Sequence, residues 1–259
     1  MSEDRFTWRS IVLPALVFVL TLAVWEGIVL TGVLETYILP SPYSVAQTMW
    51  QRSEDLAGYT FRTGVVAISG FLTSVVLGVG VSLVFSQSSL IRQSGYPYAI
   101  FFQTVPIVAV APLVIAIFGY GMLSVVVVTT MISLFPIITS TTTGLVTVDQ
   151  GLLDLFRLNN ATRWQILWKL QFPGAIGYLL TGMKTSAGLA VVGAIVGEFF
   201  AGYSSGGQGL GYFILISQNQ TSTANLFAGT ICSTLLGVIV FVSISILGRV
   251  LLRRWIGES

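Results

Sequence analysis

Six runs of about twenty apolar residues divide this chain, and nothing else in the sequence constrains its fold as strongly. They cover 11–31, 65–85, 97–118, 122–143, 175–199 and 226–249. Only an α-helix or a closed barrel satisfies its own backbone in hydrocarbon, and about 20 residues are what a helix needs to cross it. Of 259 residues, 54% are hydrophobic and 8% are charged, whereas about 25% are charged in an ordinary soluble domain. The expected fold is an all-α membrane protein of six transmembrane helices, one domain over 1–259, with a polar loop at 144–173 between the fourth and fifth. The first run is too long for a cleaved signal segment and no small-residue cleavage site follows it, so it reads as retained. No soluble domain, low-complexity tail or internal repeat is visible.

Several chemistries are excluded early. There is no histidine, the commonest general base and metal ligand. The single cysteine, Cys232, leaves no internal disulfide and no cysteine metal cluster. No catalytic constellation and no metal site are expected, and a net charge of +2 without a basic patch argues against nucleic acid.

The charges that remain fix the expected topology. With six spans both termini share a side, and the positive-inside rule makes it the cytoplasm. That side then holds Arg5, Arg9, Arg92, Arg157, Arg163, Lys169, Arg249, Arg253 and Arg254. The other keeps Arg52, beside Glu54 and Asp55, and Arg62.

The loop DQGLLDLFRLNNATRWQILWKLQFP, Asp149 to Pro173, is the polar exception among greasy neighbours. It reads as two short helices. Asp149 can cap the first. Gln150, Asp154 and Arg157 form a narrow polar stripe on it, and Leu152, Leu153, Leu155, Phe156 and Leu158 cover the rest. Such a helix needs a partner groove. Asn159-Asn160 breaks it, since Asn tolerates the left-handed conformation. Thr162 to Gln165 then makes a capping box for a second helix, expected to stop before Pro173.

This region resembles the signature of the membrane subunits of bacterial ABC importers, an E-A-A with a Gly four residues on and a downstream L-P. In the nitrate/sulfonate/taurine-type importers it runs close to E-A-A-R-x-x-G-A-S-R-W-Q. Arg157, Ala161, Arg163, Trp164, Gln165, Pro173 and Ala175 match identically and in register. Asp154 stands for the Glu, Leu155-Phe156 for the two Ala, Asn160 for the Gly and Thr162 for the Ser. The L-P-S-P at 39–42 resembles the same family at the matching position. The resemblance implies a type I ABC importer fold and a permease subunit in the bacterial inner membrane. It implies that Asp154, Leu155, Phe156, Arg157, Leu158, Asn160, Ala161, Thr162 and Arg163 form a cytoplasmic coupling helix docked on an ABC ATPase. It further implies a second permease copy, an external solute-binding protein, and ATP and magnesium held by the ATPase, with no cofactor on this chain. Solutes of such importers include nitrate, sulfonates, bicarbonate, pyrimidine precursors and riboflavin.

Two glycine patterns point elsewhere and fail on context. Gly177 to Thr185 places its lysine one position too late for a phosphate loop and lies in an apolar run. Gly206 to Gly211 follows no strand, and 201–213 is expected to be a turn too glycine-rich for a regular helix. Within the spans, Gln103, Thr104 and Thr142 are candidates to line a path, although such hydroxyls also bond to their own helix. Intramembrane charges are functional candidates by default. Lys184 could attract an anionic solute, snorkel to the inner surface or pair with a neighbouring subunit. Glu198, near the outer interface, suits gating or packing better than direct contact. An ion-coupled secondary transporter is the alternative reading. It predicts paired half-repeats and a midplane carboxylate.

Overall fold

The computed structural model describes residues 9–35, 37–202 and 208–256, with backbone alone at 9–11 and 251–256. Arg5, Trp8, Gly206 and Gly207 lie outside the described residues, as do the side chains of Arg9, Arg253 and Arg254. Among the described residues every regular element is a helix. These are α1 (Arg9–Leu30), α2 (Pro42–Gln51), α3 (Ser53–Gln87), α4 (Ser89–Thr104), α5 (Ile107–Phe118) and α6 (Met122–Val146). The chain continues with α7 (Gln150–Leu158), α8 (Arg163–Ile166), α9 (Phe172–Ala201), α10 (Leu210–Asn219) and α11 (Thr223–Ile256).

The core is a three-helix slab in which α6 packs on both α3 and α9, and these two also touch each other. Helices in lipid gain little from hiding apolar surface, so association depends on backbones approaching closely, and small residues permit that. Glycines line both contacts. A Cβ at Gly78 of α3 would lie 2.7 Å from the Ile137 side chain. One at Gly182, Gly193 or Gly197 of α9 would lie 2.8–2.9 Å from Pro136, Thr129 or Val125. Residue numbers rise together along the α3–α6 contact and run opposite along α6–α9, so α3 and α6 are parallel and α9 is antiparallel. Hydroxyls tie the slab sideways. Ser82 donates to the Ile138 carbonyl at 3.1 Å, and Ser186 donates to that of Ser133 at 2.6 Å.

The run 97–118 is not one straight helix. α4 and α5 meet at 97°. Val105 is extended (φ −68°, ψ 125°), as the ring of the following Pro106 demands. Because α3 and α6 are parallel, α4 and α5 together return the chain across the slab, and the described residues then hold up to six apolar spans. Two further departures from expectation concern proline and glycine. The helix begun at Arg163 does not stop before Pro173. A π-helical turn, Leu167–Gln171, carries it on, with the Phe172 amide reaching the Leu167 carbonyl. The wider turn lets proline enter where it has no amide to give. The glycine-rich stretch ends sooner than expected, since α10 starts at Leu210.

Replacing Gly182 by valine should lower stability by about 1–3 kcal/mol, because the carbonyl of Pro136 cannot retreat. Gly177→Ala, where a Cβ meets nothing within 4 Å, should not. Thermal unfolding of both variants in detergent, followed by size-exclusion, distinguishes them.

Candidate functional site

Two polar places stand out on this slab, one at each end of α9. At the first, α7 and α8 form the expected pair of capped helices. Asp149 Oδ1 accepts the Leu152 amide at 3.0 Å. Asn160 takes φ 51°, and the Ala161 amide returns to the Phe156 carbonyl at 3.0 Å. Thr162 and Gln165 complete a capping box, the Thr162 amide donating to Gln165 Oε1 at 2.8 Å and the Gln165 amide to Thr162 Oγ1 at 3.3 Å. Asp154 pairs with Arg157 at 3.2 Å. That exposed pair is worth only about 0.3–0.5 kcal/mol, so the caps set the shape.

What this shape presents is apolar. No residue of α7 is buried. Leu155 is 53% exposed and Leu158 81% exposed, while Phe156 is half-buried. Leu155, Phe156, Asn159, Ala161, Gln165 and Lys169 line a recess of about 300 Å³. Arg157, Thr162 and Arg163 stand exposed around it. The pair is anchored to the slab through Leu167, which is buried with Leu145 of α6 and Ala175 of α9. Trp164, Trp168 and Phe172 meet in sequence along the same rod, the first pair edge to face and the second tilted, with ring centroids 5.7 and 5.1 Å apart.

The second place lies roughly 40 Å away, 26 residues up α9 at helical rise. Glu198 is only 2% exposed. Its carboxylate accepts the Thr63 hydroxyl of α3 at 2.9 and 3.0 Å and the Gly211 amide at 2.8 Å. Thr63 was not among the expected site residues. Its partner is 135 positions away, and no local pattern reveals it. The glycines at 209 and 211 were the available clue, since a Cβ on Gly209 would strike this carboxylate and one on Gly211 would strike the Ile195 carbonyl and Glu198 Cβ.

The remaining candidates do not converge. Gln103 and Thr104 are exposed at the α4–α5 bend, and the Thr104 hydroxyl turns back to the Phe101 carbonyl at 2.8 Å. Thr142 is 2% exposed on α6, and neither its hydroxyl nor that of Thr141 has a hydrogen-bond partner among the described residues. Lys184 is half-buried, with its Cε 3.6 Å from where a Cβ on Gly248 of α11 would stand, and it joins no ion pair among the described residues. No group of three or more acidic, cysteine or histidine side chains that could hold a metal ion occurs among the described residues.

A bundle whose described residues hold up to six apolar spans, with a capped, apolar-faced projection at one end, is built as an integral membrane protein. Residues 70–257 match the family described as the binding-protein-dependent transport system inner membrane component. The chain belongs to that family and is a permease of the ABC importer class. It is 33% identical over 241 residues to the formylaminopyrimidine transport permease protein ThiX of Halalkalibacterium halodurans, covering 92% of this chain and 94% of the relative. It is 32% identical over 255 residues to the riboflavin transport system permease protein RibX of Chloroflexus aurantiacus, covering 97% and 93%. To the putative aliphatic sulfonates transport permease protein SsuC of Bacillus subtilis it is 28% identical, covering 97% and 90%. Among solved structures, the inward-facing MetNI methionine ABC transporter shares the fold. Its TM-score is 0.63 at 17% identity, over 79% of this chain and 97% of the other.

The left-handed Asn160 gives a direct test of the projection's geometry. Asn160→Val, a β-branched residue where φ is positive, should expose the chain and speed tryptic cleavage at Arg157 and Arg163 several-fold, by roughly 1–2 kcal/mol of strain. Asn160→Gly should be cleaved no faster than the parent.

Proposed function

We propose that two copies of this chain form the solute path of an importer whose ATP hydrolysis is carried out by separate cytoplasmic subunits. The 149–171 element is the peg that docks on them. One observation carries this reading: a doubly capped helix displays large apolar side chains around an open recess at the end of the bundle. Surfaces of that kind mark protein contacts. The rigidity supplied by the caps is what a mechanical coupling needs.

The placement of charge supports the orientation. Arg92, Arg157, Arg163, Lys169 and Arg249 cluster at the α7 end, and Arg52 and Arg62 are at the other. The excess of basic residues at that end supports a cytoplasmic peg and, with it, cytoplasmic termini. By alternating access, ATP closes the ATPase pair, the pegs follow, and the path opens outward to a solute-binding protein. The ATPase subunits hold ATP and magnesium, and this chain contributes no catalytic residue.

For the solute, the names of ThiX and RibX direct attention to nitrogen heterocycles. We take pyrimidine precursors and flavins as the first compounds to test, with sulfonates next. Gln103, Thr104, Thr142, Lys184 and Glu198 are the proposed path and gating residues, with Glu198 acting by packing, since its oxygens are already engaged.

Co-expression with ATPase and binding-protein subunits should yield a stable complex whose ATPase activity rises with loaded binding protein. Phe156→Ala should leave the permease folded and abolish that stimulation. A variant stimulated like the parent would remove Phe156 from the docking face, and transport driven by an ion gradient without ATP would end the importer reading.

A further inference from the structure

Four groups from three elements close a hydrogen-bond circuit at the end of the bundle remote from α7. The Thr63 hydroxyl donates to Glu198, and Thr63 Oγ1 accepts the Leu210 amide at 2.8 Å. Glu198 Oε2 accepts the Gly211 amide at 2.8 Å. Leu210 and Gly211 are the first two residues of α10, whose own N-cap, Gly209, has no side chain to offer. A helix start leaves orphan amides, and here α3 and α9 supply the missing acceptors. A carboxylate also suits the positive end of the helix dipole. Two looser ties, one from α3 and one from the residue just before it, reinforce the circuit. Arg62 reaches the Gln208 carbonyl at 3.5 Å, and the Arg52 guanidinium, at the start of α3, sits 5.3 Å from the ring of Phe213.

We propose that Thr63 is a positioning residue of this permease. Together with Glu198 it caps α10 from outside and fixes that helix against α3 and α9. The consequence reaches a groove of about 390 Å³ between α9, α10 and α11. Ile214 of α10 faces Val191 and Ile195 of α9 across it, with Gly237 of α11 at its side. The cap ties the Ile214 wall of that groove to α3 and α9. Burial makes the arrangement exacting. Thr63 is fully buried, and an amide stripped of its acceptor there cannot turn to water. Relevance to transport rests on the permease assignment, whereas the capping does not.

The test is hydrogen–deuterium exchange of the Leu210 and Gly211 amides in the full chain in lipid nanodiscs, needing neither solute nor ATPase. Thr63→Val keeps the shape and removes the hydroxyl, and it should speed exchange at both amides by about tenfold or more, the factor one hydrogen bond carries. Thr63→Ser should restore the parent rate to within about threefold, and amides in the middle of α6 should be unchanged in both. Amides as slow in Thr63→Val as in the parent, or as fast in Thr63→Ser as in Thr63→Val, would overturn the proposal. If Thr63→Val does not fold, Glu198→Gln, which loses one acceptor oxygen, should still speed Gly211 at least about threefold. An unchanged rate there would likewise overturn it. A failure of the ATPase-docking reading would leave all of these rates untouched.

Discussion

The rest of the molecule depends on Thr129, which α3 and α9 grip from opposite sides. A Cβ on Gly70 would run into its side chain, and one on Gly193 would lie 2.9 Å from its Cα. Within lipid the pull between helices is mostly dispersion, which falls off steeply with distance, so two backbones brought this near hold where two leucine-lined faces would not. Thr129 spends its own hydroxyl on the Val125 carbonyl at 2.7 Å and so asks nothing of its neighbours. α6 is thereby fixed on both sides, and the lighter elements are arranged around it.

Those lighter elements follow a division of labour along the bundle. At one end the polar groups face inward, with Glu198 and Thr63 consuming each other's capacity and closing α10 onto the slab. At the other the polar groups serve their own short helices, as caps, and leave the apolar side chains outside. The same chemistry, a side-chain oxygen meeting an orphan amide, therefore yields a sealed joint in one place and a projecting apolar surface in the other. What differs is whether the acceptor is local in sequence, as with Asp149 and Thr162, or brought from a distant helix, as with Thr63.

That difference also explains what could be read in advance. The caps at Asp149 and Thr162–Gln165 and the left-handed Asn160 are local patterns three or four residues long, and the structure has them where the sequence places them. The apolar runs announced six crossings because hydrocarbon thickness sets a length. The bend at Val105 was foreshadowed by Pro106, yet a proline in a membrane helix is compatible with a mild kink or a right angle, and only the parallel run of α3 and α6 decides. The π turn before Pro173 has no pattern of its own. α10 was hidden because its start is flanked by Gly209 and Gly211, which make room for the Glu198 side chain rather than favouring a helix. Thr63 was invisible for a plainer reason, its partner being on another helix.

The π turn has one more implication. By replacing a loop with a wider coil, it makes Arg163 to Ala201 a single rod of 39 residues, roughly 58 Å long at helical rise. Such a rod is a lever without an elbow. A tilt of about a tenth of a radian imposed near Arg163 would sweep its remote tip through roughly 6 Å over that length. The tip is where Glu198 grips α3 and α10, so the load would fall on a joint made of a few hydrogen bonds. The far seal, rather than the shaft, is then where such a tilt would be felt as strain.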